Sequence, residues 1–271
     1  MPRRICVIIL SLLCLSTAPL LAQQSGLFLM ESAEDGRNWE AVGRLEIAGE
    51  AFCTGALIEP GLVLTAAHCL FNPETGARVP ADQMQFLVGW RNGRAAAYRR
   101  VRRAEPHPDY DYRSATDADR VRVDVALLEL QHPVRNGSIV PFETDHRPEN
   151  GDRVGVVSYA HNRSEAPSLQ EICDVKAQQR GVLILTCQVD FGSSGSPVFS
   201  FDTGTPRIVS VVSAKAEANG EPVSLGTTLE IPIALIKEVL ARKDGLAATG
   251  ITGVSRVGAI PRNTGAKFIT P

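Results

Sequence analysis

Cys53-Thr-Gly-Ala-Leu-Ile-Glu-Pro-Gly-Leu-Val-Leu-Thr-Ala-Ala-His68-Cys69 reads as two short strands and a turn that ends in a histidine. The apolar runs Ala56–Ile58 and Leu62–Thr65 are separated by Glu59-Pro60-Gly61, a pattern that predicts a strand, a reversal and a strand. The same pattern extends outward along the chain. Ala41–Ile47 precedes this stretch, and Met84–Val88, Val125–Leu130, Val154–Tyr159, Val182–Cys187, Pro197–Phe201 and Ile208–Ser213 follow it. Gly, Pro, Asn and Asp lie between these segments. Few stretches carry a 3.6-residue period. One is Ile231–Lys243, where Ile233, Ile236, Val239 and Leu240 share a face. Many short strands and one late helix predict an all-β, antiparallel barrel or sandwich rather than an α/β fold.

The chain has 271 residues, room for one large all-β domain. Its formal net charge of -2 supplies no basic field for nucleic acid. Residues 1–22 read as a secretory signal peptide: Arg3 and Arg4, then the apolar run Ile5–Leu15, then the small residues Ala18 and Ala22. That run is short for a bilayer span, and Pro19 follows it, so no membrane insertion is expected after the signal is removed. The reading implies a secreted or periplasmic protein. Residues 23–38 form an N-terminal segment, 39–244 the domain itself, and 245–271 a tail rich in Gly, Ala and Thr, extended over the surface or partly disordered. Cys6 and Cys14 leave with the signal. Cys53, Cys69, Cys173 and Cys187 remain, an even set in an exported chain, and they allow three disulfide pairings. No CxxC pair or clustered histidine supports a metal site.

Two further segments carry chemistry: Val123-Asp124-Val-Ala-Leu-Leu-Glu-Leu130 and Phe191-Gly192-Ser-Ser194-Gly-Ser-Pro-Val198. Thr65-Ala-Ala-His68-Cys69 resembles the histidine motif of the trypsin/chymotrypsin serine proteases. Asp124-Val-Ala-Leu-Leu resembles their aspartate motif, and Gly192-Ser-Ser-Gly-Ser-Pro197 their serine motif, nearest the bacterial glutamyl-endopeptidase-like branch. The three occur in the family's order, and the resemblance spans about residues 39–243. It implies two six-stranded antiparallel Greek-key barrels with a C-terminal helix and a cleft between the barrels. It also implies disulfides Cys53–Cys69 and Cys173–Cys187, protein or peptide substrates, no cofactor and a monomer.

The residue types suit that chemistry. A serine hydroxyl needs a base to take its proton as it attacks a carbonyl. By the resemblance, Ser194 is the nucleophile, His68 the base and then the acid, and Asp124 the carboxylate that orients His68. The N–H groups of Gly192 and Ser194 would receive the oxyanion, and Gly192 and Gly195 permit the turn this demands. Ser213 is expected to hydrogen-bond the Asp124 carboxylate, and Gln188, Lys215 and Thr227 to line the substrate pocket. Ser193 and Ser196 read as structural. His107 reads as a surface loop residue, and His132, His146 and His161 as solvated. A catalytically silent, protease-fold binding protein is the alternative; such proteins usually lack a triad residue, and none is missing here. Related zymogens pair a new N-terminal ammonium with an aspartate just before the nucleophile. That position is Ser193, which would leave a buried ammonium without a carboxylate, so the oxyanion hole is expected to form without N-terminal insertion.

Overall fold

The computed structural model describes residues 26–115, 117–145, 148–243 and 266–269. The signal segment, His146 and most of the tail lie outside the described residues. Strand β1 (Leu27–Leu29) is followed by β2 (Val42–Ile47), β3 (Ala51–Glu59), β4 (Leu62–Thr65), β5 (Met84–Val88) and β6 (Ala97–Pro106). The one-turn helix α1 (Ala118–Val121) leads to β7 (Ala126–Leu130). A second set comprises β8 (Arg153–Ala160), β9 (Arg163–Gln179), β10 (Val182–Leu185), β11 (Pro197–Ser200), β12 (Arg207–Ala218) and β13 (Glu221–Thr228). Helix α2 (Glu230–Lys243) and strand β14 (Ala266–Ile269) complete the fold.

Strands β2-β3-β4-β7-β6-β5 close into an antiparallel barrel. The second six run β9-β10-β13-β12-β11-β8, and β8 pairs with β9 to close them. Relative to sequence order the two barrels have the same permutation, so the architecture is the pair of six-stranded barrels that the resemblance implied. Strand β1 adds to the outside of β9, and β14 adds to β12. Closure leaves few free sheet edges to pair with other chains.

Each barrel is filled from the inward faces of its strands. Leu45, Leu57, Leu64, Phe86 and Leu127 fill the first; Val156, Leu183, Leu185, Val198 and Val209 fill the second. Trp39 joins them, its ring 5.0 Å from Phe199 and 5.9 Å from Phe142. Burial of these side chains gives the dominant favourable free energy. Helix α2 leaves the second barrel and packs on β6 and β7 of the first. Ile233, Ile236 and Leu240 are buried there, as their spacing predicts, and Arg103 donates to the Leu240 carbonyl (3.2 Å). Pro232 lies in the first turn, where its missing N–H costs no helical bond. Among the described residues, no helix is long and apolar enough to cross a membrane.

Three of the barrel strands were not expected from the sequence. β6 is Arg-rich, β9 carries Glu171, Asp174 and Lys176, and β13 carries Glu221 and Pro222. Arg100, Arg102, Glu171, Asp174, Lys176 and Glu221 are exposed while Val101, Cys173, Val175 and Val223 face in, so the apolar signal is only every second residue.

Candidate active site

His68 stands on a short 3₁₀ turn, Ala67–Leu70, at the end of β4. The disulfide Cys53–Cys69 ties that turn back to β3. Asp124 precedes β7 and follows α1, whose N-cap Asp117 accepts from the N–H groups of Asp119 and Arg120, both at 3.0 Å. The two side chains meet. Asp124 Oδ2 accepts from His68 Nδ1 at 2.7 Å, and Oδ1 accepts from the His68 backbone N–H at 2.8 Å. An ionised carboxylate only accepts, so Nδ1 carries a proton toward Asp124 and Nε2 is the ring nitrogen left for another partner.

Asp124 is nearly fully buried. Burial works against its charge, but the His68 charge and the hydrogen bonds from His68 and Ser213 outweigh this and hold the carboxyl below its ordinary range. Ser213 Oγ donates to Asp124 Oδ2, the contact expected of it.

Ser194 lies on a turn of the second barrel between Gly192 (φ +95°) and Gly195 (φ +77°). Both glycines are needed. A Cβ on Gly195 would run into Thr65 Oγ1 and the Thr54 carbonyl, and one on Gly192 would enter the Phe52 ring. The turn is held from several sides. Thr54 of β3 donates its N–H to the Ser194 carbonyl (2.8 Å) and its hydroxyl to the Gly192 carbonyl (3.0 Å). The same hydroxyl accepts the Tyr159 N–H (3.0 Å), and the Thr54 carbonyl accepts from Thr65 Oγ1 (2.8 Å).

Ser193 is fully buried, whereas Ser194 is half-buried at the cleft surface. Ser193 Oγ donates to the Tyr159 carbonyl (3.2 Å) and accepts from the Asp190 N–H (3.3 Å) and Arg163 Nη2 (3.4 Å). Arg163 also reaches the Ser158 carbonyl (2.7 Å) and hydroxyl (2.9 Å). Neither Thr54 nor Arg163 was singled out in the sequence. Thr54 had one cue, a hydroxyl residue beside Cys53 in an apolar strand; Arg163 had none, because its target is distant in the chain.

His68, Asp124, Ser194, Ser213, Lys215, Asp190 and Phe191 all line one cleft of about 560 Å³ between the barrels. Among the described residues, the Gly192 and Ser194 N–H groups form no hydrogen bond within the fold; Ser194 lines the cleft, whereas Gly192 lies buried beneath it. Lys215 Nζ pairs with Asp190 Oδ1 at 2.5 Å and lies 4.9 Å from the Phe191 ring centroid. The Lys215 hydrogen bond holds the Asp190 carboxyl below its usual range.

Two residues expected in the pocket lie elsewhere. Thr227 is fully buried behind the Asp124 loop, and its hydroxyl donates to the Val121 carbonyl (2.5 Å). It faces α1 because β13 turns that side of the strand away from the cleft. Gln188 is exposed outside the cleft wall, and its N–H donates to Gln170 Oε1 (2.8 Å). His107 also differs from expectation: it is buried, and burial pushes its imidazole below the ordinary value. The strand pairing that continues into this segment, with the His107 N–H on the Val125 carbonyl (2.9 Å), carries it inward. His132 and His161 are exposed as expected.

Cys53, His68 and Cys69 place ligand-type atoms within 4.8 Å of one another, but the two sulfurs are bonded together and are not thiolate ligands. The second disulfide joins Cys173 of β9 to Cys187, which leads toward the Ser194 turn.

Residues 53–206 match the family model for the trypsin-like peptidase domain. Mast cell protease 3 of Ovis aries is 34% identical over 104 residues, 37% of this chain and 36% of that protein. Serine protease 56 of Homo sapiens is 33% identical over 99 residues, 36% of this chain and 15% of that protein. The chain therefore matches well under two thirds of these relatives' length. A solved Glu endopeptidase, in complex with MPD, superposes with a TM-score of 0.66 at 16% identity, covering 81% of this chain and 98% of that one. At that identity the likeness concerns the fold. The family match covers more than half of the chain and includes His68, Asp124 and Ser194: this chain belongs to the trypsin-like peptidase family.

Proposed function

We propose that the protein is an exported serine endopeptidase that cuts peptide bonds through an acyl-enzyme on Ser194. The observation that carries this reading is the Asp124–His68 pair (2.7 Å), set in a cleft whose other wall holds the half-buried Ser194. His68 Nε2 takes the hydroxyl proton as Ser194 Oγ bonds to the scissile carbonyl carbon. The carbonyl oxygen becomes an oxyanion and is received by the Gly192 and Ser194 N–H groups. The tetrahedral adduct then collapses. The C–N bond breaks, the proton on His68 passes to the departing amine, and an ester remains on Ser194. Water repeats the sequence and restores the serine. Asp124 keeps the imidazole in the required tautomer and stabilises the imidazolium as it forms.

The oxyanion turn needs no inserted N-terminus on this reading. Thr54 and Arg163 brace it, and Ser193 supplies a hydroxyl where a buried ammonium would require a carboxylate. Export is supported by the N-terminal signal pattern and by the two disulfides. Peptide substrates follow from the family.

Fluorophosphonate labelling followed by peptide mapping tests the assignment. Ser194 is expected to carry the adduct, and Ser194→Ala is expected to lose labelling and about 10⁶ of the hydrolysis rate with the fold retained. Modification of Ser193, or undiminished hydrolysis by Ser194→Ala, would overturn it.

A further inference from the structure

Strand β12 has two edges, and they are paired over different spans. On one side β13 runs beside it to Ala218. On the other, β11 stops at Val211. Beyond that point lie Ser213, which holds Asp124, and Ala214 and Lys215, which also line the cleft. An open edge ending in a cleft of this kind takes an extended peptide as an added strand, because backbone N–H and C=O groups pair with any sequence.

That edge already has an occupant from the same chain. β14 pairs antiparallel with it, Ala266 opposite Ala218, Lys267 opposite Glu217, Phe268 opposite Ala216 and Ile269 opposite Lys215. The direction matters. β14 runs toward the cleft, and its last residue stands opposite a residue of the cleft wall. Continuing along the same edge from Lys215, the next positions are Ala214 and Ser213.

We infer that β14 is a tethered competitor: it fills the outer part of the subsite that binds the backbone of an extended peptide substrate. The inference rests on the peptidase reading of the cleft. Because the strand belongs to the same chain as the cleft, it competes as an intramolecular occupant, at an effective concentration independent of the protein concentration. Substrates that need only the inner cleft bypass it, whereas long peptides must displace it.

Two variants test this: a chain ending at Lys243, and a full-length chain carrying Lys267→Pro and Phe268→Pro. In an antiparallel ladder one of two neighbouring N–H groups faces the partner strand, so the paired prolines remove a ladder donor whichever it is. Both variants and the parent are titrated with a fluorescent Thr-Gly-Ala-Lys-Phe-Ile peptide by anisotropy. KM is compared for a long peptide and a short ester. Both variants are expected to bind the fluorescent peptide about tenfold more tightly than the parent, and to show a long-peptide KM lower by a similar factor, with the short ester unchanged. Equal peptide affinity in all three forms would overturn the inference. Fluorophosphonate labelling reports separately on the peptidase reading: its failure in every form would remove the peptidase, while the binding titration still decides whether β14 occupies the edge.

Discussion

The two barrels share a strand order but hold their cleft residues by different means. The first presents His68 and Asp124 from strand ends, fixed by a disulfide and by hydrogen bonds to the carboxylate itself. The second presents Ser194 on a turn with two left-handed glycines, braced largely by residues from elsewhere, notably Thr54 of the first barrel. A base and its orienting acid need fixed side chains, which strand ends supply. An oxyanion site needs N–H groups aimed at an empty space, which regular structure cannot supply because it pairs them. The second site therefore departs from regular structure and depends on support from its neighbours.

The sharpest way to break the contrast is Gly195→Ala. The substitution forces an L side chain to positive φ and drives its Cβ against the Thr54 carbonyl and the Ala66 N. A loss of at least about 4 kcal/mol of stability is expected, read by urea denaturation, with hydrolysis abolished. A mild effect would mean that the turn is less constrained than its packing indicates.

Thr54→Val separates bracing from the chemistry. It keeps the shape but leaves the Gly192 carbonyl and the Tyr159 N–H without their partner, at a cost of about 2–3 kcal/mol. The contrast requires kcat to fall more than KM rises, because the braced turn serves the oxyanion more than it serves binding. Equal stability loss with unchanged kcat would show that Thr54 holds the barrels together and not the turn.

These two residues also mark what the sequence made legible. The triad motifs are contiguous in the chain, because each needs local backbone geometry: Ala-Ala before His68, an apolar strand after Asp124, glycines around Ser194. The helix on Ile233, Ile236 and Leu240 is legible for the same reason, as its period is local. Thr54 reaches Gly192 across 138 residues and Arg163 reaches Ser193 across 30, separations over which neighbouring residues do not identify a partner. Thr227 shows the converse failure. The resemblance implies a cleft residue there, but the face it presents is decided by the register of β13 against β12 and β10.

His107 gives the smallest expected effect and concerns the first barrel alone. Its pKa is depressed, so the folded protein resists a proton that the unfolded chain accepts near 6.5. Its contribution to stability is complete above pH 6.5 and declines as pH falls from there toward the folded-state value. Among the groups facing it, Asp109 acts to raise that value and Arg122 to lower it. The stability difference between the parent and His107→Gln is therefore expected to narrow below pH 6.5, by at most about 1.4 kcal/mol per pH unit, in denaturation followed across pH. A difference independent of pH would mean that folding leaves the His107 pKa unchanged, and one that widens as pH falls would mean that the fold raises it.

One pair of neighbours on β3 has a mechanical consequence. Cys53 is bonded to the residue after His68, and Thr54 is bonded to the residues on either side of the oxyanion turn, Gly192 and Ser194. His68 and Ser194 are thus both anchored within one peptide unit of a single strand. A rotation of one barrel against the other about this point would displace the cleft rims more than the His68 and Ser194 side chains, because displacement grows with distance from the axis.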